Sequence, residues 1–212
     1  MVKRTTSVLL VGGLLALGHA MPATAASLSY VGAFTADDDV ASFTFSLASP
    51  ATVTIKTYSY AGGTQADGNV VPSGGFDPIL ALFNGAGTLI NFVDDGSNVS
   101  DPNTKMPFDA LLETALGAGT YTVTLMQYNN FANGPTLGHG FEKSGQSTFT
   151  QAFGCGGTMF CDSEGNQRNG NWALDILNVN AATPVPIPAA LPLFAFGMAA
   201  VGLAARRRGP RS

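Results

Sequence analysis

Twice in this chain apolar residues recur at every second position. Phe43, Phe45 and Leu47 alternate with Thr44 and Ser46, and Tyr121, Val123 and Leu125 alternate with Thr122 and Thr124. A period of two gathers the apolar members on one face of an extended chain and scatters them around a helix. The same reasoning predicts strands over Val40–Leu47, Ala51–Tyr60, Thr88–Val93, Thr120–Tyr128 and Asn171–Val179. Ile79–Phe83 is apolar throughout, the pattern of a strand covered on both faces. Asp109–Leu116 suits a strand or a short helix, and Ser147–Phe153 suits a further strand. Glycine-rich turns punctuate the series at Gly62-Gly63, Gly74-Gly75, Asn84-Gly85-Ala86-Gly87 and Gly117-Ala118-Gly119. About eight short strands with turns between them predict an all-β domain, an antiparallel β-sandwich of jelly-roll type.

Charge is segregated along the chain. All 14 acidic residues lie between Asp37 and Asp175, whereas Lys3, Arg4, Arg206, Arg207, Arg208 and Arg211 sit at the two ends. Only Lys56, Lys105, Lys143 and Arg168 remain in the middle, so four cations face fourteen anions there, a net charge of −10. A body of that sign repels phosphate backbones and excludes nucleic acid as a partner. It suits solubility outside the cell, divalent cations or neutral glycans.

The two ends are apolar and flanked by positive charge. Lys3-Arg4, the apolar run Val8–Leu17 and the small-x-small site Ala23-Thr24-Ala25 have the organisation of an export signal, cleaved after Ala25 or Ala26. At the other end, residues 189–205 carry no charge and Arg206-Arg207-Arg208 follow at once. As a helix that run reaches roughly 25 Å, just short of a ~30 Å hydrocarbon core, with the arginines favouring a cytoplasmic C-terminus. The expected organisation is therefore a signal peptide and signal helix over 1–25, a β-sandwich domain over 26–180, a proline-rich linker over 181–188, a membrane helix over 189–205 and a basic tail over 206–212. Export places Cys155 and Cys161, with five residues between them, in an oxidising compartment, where a local disulfide is the default. Free thiols or a metal pair are the alternatives, and no histidine lies between them.

The tail Val185-Pro186-Ile187-Pro188-Ala189-Ala190-Leu191-Pro192-Leu193-Phe194, with Gly197, Gly202 and Arg206 to Arg208, resembles the PEP-CTERM sorting signal of exported bacterial proteins in its proline-rich variant. Ile187 stands where the glutamate of the family motif falls. The resemblance implies an exosortase-like sorting protease as partner and anchorage in the inner membrane before display at the cell surface. In the body, Gly75-Phe76-Asp77-Pro78-Ile79-Leu80-Ala81-Leu82-Phe83-Asn84, Gly87, Asp94-Asp95-Gly96 and Ala118-Gly119-Thr120-Tyr121-Thr122-Val123 resemble a bacterial pre-peptidase C-terminal domain. More closely, they resemble exported PEP-CTERM proteins with a Phe-Asp-Pro signature, and Asp39-Val40 with Phe43 and Phe45 fits their opening strand. This implies an accessory β-sandwich of a kind that often binds calcium or matrix and performs no chemistry. Residues 131–180 have no counterpart in the resemblance.

Carboxylates are the chemical candidates. Asp37, Asp38 and Asp39 form one run and Asp94 and Asp95 another. Should the two runs meet at one end of the sandwich, they have the oxygens for calcium, the one cofactor the residues suggest. Otherwise they cap turns and charge the surface. Asp77 before Pro78 reads as a turn former. His139 is the single histidine outside the signal segment, and no Gly-x-Ser-x-Gly elbow accompanies it. Tyr58, Tyr60, Tyr128 and Phe131 are candidates either for stacking on sugars or for the core. The first functional expectation is a non-enzymatic cell-surface or matrix protein associated with exopolysaccharide. The alternatives are a secreted polysaccharide hydrolase working through two carboxylates, and a calcium-stabilised carbohydrate-binding module.

Overall fold

The computed structural model describes residues 26–156, 159–179 and 181–183. The strands are β1 (Ala26–Ala33), β2 (Val40–Leu47), β3 (Ala51–Thr57), β4 (Gly63–Thr64), β5 (Val70–Val71), β6 (Pro78–Asn84), β7 (Leu89–Val93), β8 (Leu111–Leu116), β9 (Gly119–Gln127), β10 (Asn171–Val179) and β11 (Ala181–Thr183). The pairings nest: β1 joins β10, β2 joins β9, β3 joins β8 and β6 joins β7, all antiparallel. Rolled up, this long hairpin becomes a four-stranded sheet, β1-β10-β3-β8, and a five-stranded sheet, β11-β2-β9-β6-β7. Apart from the β6–β7 hairpin and the small β4–β5 ribbon, the chain changes sheet at every connection, which is the winding of a jelly roll.

The period of two explains what lies between the sheets. Phe43, Phe45, Val123, Leu125, Leu80 and Leu82 from one sheet share a core with Val53, Ile55, Leu112, Leu174 and Ile176 from the other. The unbroken apolar run of β6 has its own cause. Ile79, Ala81 and Phe83 face outward, where with Met126 they form a second cluster capped by Phe131, Leu137 and Phe141. The connection after β9 is thus the lid over the second face of β6.

Three segments differ from their sequence expectation, and a fourth that the sequence left open is settled. The strand expected to reach Tyr60 ends at Thr57, because the Asp109 carboxylate takes the N–H groups of Tyr60 and Ala61. Asp109–Leu116, open between helix and strand, is extended over Leu111–Leu116 through its ladder with β3. Phe149–Phe153 is a 3-10 turn rather than a strand, with Thr150 drawn inward onto Asp37. Residues 181–183, placed in the linker by their sequence, form β11 along β2. The export signal with Ala23 and Ala25, the motif Val185, Pro186, Ile187 and Pro188, the span 189–205 and Arg206 to Arg208 lie outside the described residues. No helix among the described residues is long and apolar enough to cross a membrane.

Gly75 marks the tightest approach between the loop before β6 and the body. A Cβ there would stand 2.2 Å from the Asn171 carbonyl oxygen and 2.4 Å from that of Ser59, both backbone atoms that cannot swing aside. Gly75→Ala is expected to destabilise the fold by about 2–3 kcal/mol, read as a lower midpoint in chemical denaturation.

Candidate functional site

Among the described residues six aspartates are buried: Asp37, Asp77, Asp101, Asp109, Asp162 and Asp175. A carboxylate taken out of water is costly unless donors or counter-charge meet it. Five of the six are met. Asp37 accepts the N–H and hydroxyl of Thr150 at 2.8 and 2.5 Å and the N–H of Phe160 at 2.7 Å. Asp109 accepts the Thr57 hydroxyl at 2.8 Å and the N–H groups of Tyr60 and Ala61 at 3.1 and 2.7 Å. Asp162 accepts the Tyr60 hydroxyl at 2.5 Å and the N–H groups of Glu164 and Asn166. Asp175 accepts the Tyr58 hydroxyl at 3.0 Å, the Gln65 amide and the N–H of Ala66. Asp101 accepts the N–H groups of Asn103 and Thr104 and pairs with Arg168 at 3.1 Å. The Arg168 guanidinium also donates to the carbonyls of Tyr60 and Gly75 and lies 3.8 Å from the centre of the Tyr60 ring.

Asp77 is the exception. It is 3% exposed, and its Oδ1 has no hydrogen-bond partner. It sits just before β6, and Asp94 and Asp95 sit just after β7, so the Leu80–Val93 register closes the open end of the hairpin on these acids. One oxygen from each of Asp77, Asp94 and Asp95 lies within 4.8 Å of the others. Asp94 Oδ1 is likewise buried without a partner. Gln127, opposite Pro78 in the β9–β6 ladder, buries both amide atoms unpartnered. Burial, then the charges of Asp94 and Asp95, push the Asp77 carboxyl well above the usual carboxylate range. Burial and then Asp95 push Asp94 up to about 6. Asp95 is raised by burial and then by Asp109.

The structure therefore joins Asp94 and Asp95 to Asp77 rather than to the earlier acidic run. Asp37 ties the Thr150 and Phe160 segments together, Asp38 accepts the N–H of Gly145, and Asp39 accepts the N–H groups of Thr35 and Ala36. In the sequence Asp77 has the pattern of a turn former, an acid before proline, rather than that of a ligand. The available signal was the hairpin itself, with an acid immediately before its first strand and a pair immediately after its second. Cys155 and Cys161 form the expected disulfide, with Cα atoms 5.7 Å apart. His139 is exposed, and its Nδ1 lies 2.7 Å from the Thr136 hydroxyl of its own turn. Tyr58 and Tyr60 are core residues, both with hydroxyls raised by burial first and by a buried aspartate second, Tyr58 up to about 12. Tyr128 and Phe131 are half-buried and meet edge to face at 6.1 Å.

No family model and no curated protein matches the chain. A solved structural neighbour is the pre-peptidase C-terminal domain of a collagenase from Bacillus anthracis, at 9% sequence identity, covering 71% of this chain and 86% of that one, with a TM-score of 0.35. A superposition that loose carries no conclusion about this chain.

Arg168 offers the sharpest test of the donor network. Burial pushes the Asp101 carboxyl up, but the N–H of Thr104, the Arg168 guanidinium and the N–H of Asn103 outweigh it and hold the acid below its usual range. Arg168→Met leaves that charge buried and unpaired, and a loss of about 3–5 kcal/mol is expected in urea denaturation at pH 7. A depressed carboxyl stabilises the fold above its unfolded pKa and ceases to do so as pH falls through its folded value. The stability gap between wild type and D101N is therefore expected to be full above about pH 4 and to shrink below it, in a series of melts.

Proposed function

We propose that this protein is a non-catalytic cell-surface module, exported across the inner membrane, sorted by an exosortase-like protease and held against extracellular polysaccharide. The observation that carries the reading is a disulfide-closed acidic β-sandwich set between two apolar, positively flanked ends. A disulfide suits an oxidising compartment. The negative body turns away nucleic acid and favours neutral glycans over acidic ones. Anchorage by the 189–205 run and processing near Val185–Pro188 belong to the same proposal. The lack of chemistry is proposed on the buried carboxylates: five are spent on loop N–H groups, hydroxyls or Arg168, and His139 is spent on Thr136 within its own turn.

Fractionation of native cells with intact-mass measurement tests the reading. The expected species lacks residues 1–25, sediments with envelope or matrix, and is released when the polysaccharide is digested. A cytosolic chain uncut at both ends overturns it. New reducing ends appearing when the purified protein meets its own cell-surface glycan, and disappearing in D94N, D95N or D109N, would instead establish the carboxylate hydrolase.

A further inference from the structure

We propose that Asp77, Asp94 and Asp95 hold a hard divalent cation, with calcium the best fit, and that this ion pins the crossover from β7 to β8.

The contrast among the six buried aspartates carries the proposal. Every other one has its oxygens filled by N–H or O–H donors, or by the guanidinium of Arg168. Asp77 is buried too, yet its Oδ1 meets no donor, and one of its oxygens lies within 4.8 Å of oxygens of Asp94 and Asp95. A buried carboxylate needs donors or a compensating charge, and the Asp77 Oδ1 has no donor. The cations of the body do not supply that charge: among the described residues the ion pair is that of Arg168 with Asp101. Gln127 adds an independent sign, a fully buried amide in the adjacent ladder position with neither atom satisfied.

The dimensions and the donor set choose the ion. Oxygens on one calcium lie 2.3–2.6 Å from it and so up to ~5 Å from one another. The three carboxylate oxygens here fall within 4.8 Å of each other. All are hard oxygen donors, with no cysteine or histidine in the group, which disfavours zinc and copper. Calcium accepts six to eight ligands in irregular geometry, and the exposed side of Asp95 admits water to complete the shell. Magnesium demands a near-octahedral set that three converging aspartates do not impose.

The site also has a structural task. Asp77 precedes β6 and Asp94-Asp95 follow β7, so one ion closes the open end of this hairpin. The Asp95 carbonyl accepts the Leu111 N–H, and Ser97 donates to the Asp109 carbonyl. The chain therefore passes from the five-stranded to the four-stranded sheet directly beside the cluster. The proposal is independent of which surface or glycan the protein meets, so it stands or falls apart from the surface reading.

Calorimetric titration and thermal melts of the purified protein, stripped with chelator and then given calcium chloride, test it. Wild type is expected to bind one calcium and to gain about 5–10 °C at a hundredfold excess over Kd. Asp77→Asn replaces a buried carboxyl whose Oδ1 no donor meets. It is expected to melt no lower than stripped wild type and to lose the calcium response entirely, while Asp67→Asn, on an exposed turn, keeps it. Should D77N fail to fold, D94N and D95N serve as the same test. Absence of both heat and melting shift in wild type overturns the proposal, as does an unchanged calcium response in D77N, D94N and D95N alike. An equal shift with magnesium overturns the preference for calcium.

Discussion

A carboxylate inside a protein must be given donors, and this requirement organises the loops of the sandwich. The body has four cationic side chains for fourteen acids, so ion pairing cannot do it. The N–H groups of turns do it instead. Asp109 halts β3 by collecting the N–H groups that follow it, and Asp37 curls the chain around Thr150. Asp162 wraps 162–166 about itself, and Asp175 draws in Gln65 and Ala66. Each acid converts a glycine-rich connection, which would otherwise be loosely held, into a fixed attachment. Net gains of one hydrogen bond are modest, but the penalty for leaving such a group unmet is larger, so the constraint acts by exclusion of other conformations.

That view explains which parts of the architecture were readable from the chain. β2 is visible because one of its faces meets the core and the other is half-exposed, and β9 because Thr120, Thr122 and Thr124 alternate with its core residues although Val123–Gln127 are all buried. β6 is visible because both of its faces are covered. β1 is not, since Leu28 and Tyr30 pack against the core while Val31, on the outer face, stands 61% exposed and blurs the period. β11 is three residues long and exists through its ladder to β2, a contact across more than a hundred residues that no local pattern encodes.

The acidic site was half legible for the same reason. Asp94-Asp95 stands out as a run, but its companion is fixed by hairpin register rather than by sequence proximity, and the more conspicuous run of Asp37, Asp38 and Asp39 is absorbed into loop attachments. Acids at the two ends of a hairpin are brought together by its register, so Asp77 meets Asp94 and Asp95 although it lies far from them in the sequence. The disulfide was legible because the chain has two cysteines and the export-signal pattern at its start implies an oxidising compartment.

The placement of the last strands bears on how the body would carry tension. Ala26 is paired with Val179, so the start of β1 and the end of β10 lie side by side. A pull from beyond Thr183 reaches first β11, three residues at the rim of a sheet, which can peel one hydrogen bond at a time. It then reaches β10, nine residues long and gripped by β1 on one side and β3 on the other, which must slide along its length. Peeling yields to little force and sliding resists much more. The short strand therefore works as a slack line in series with a strong clasp, lengthening under load before the jelly roll itself is strained.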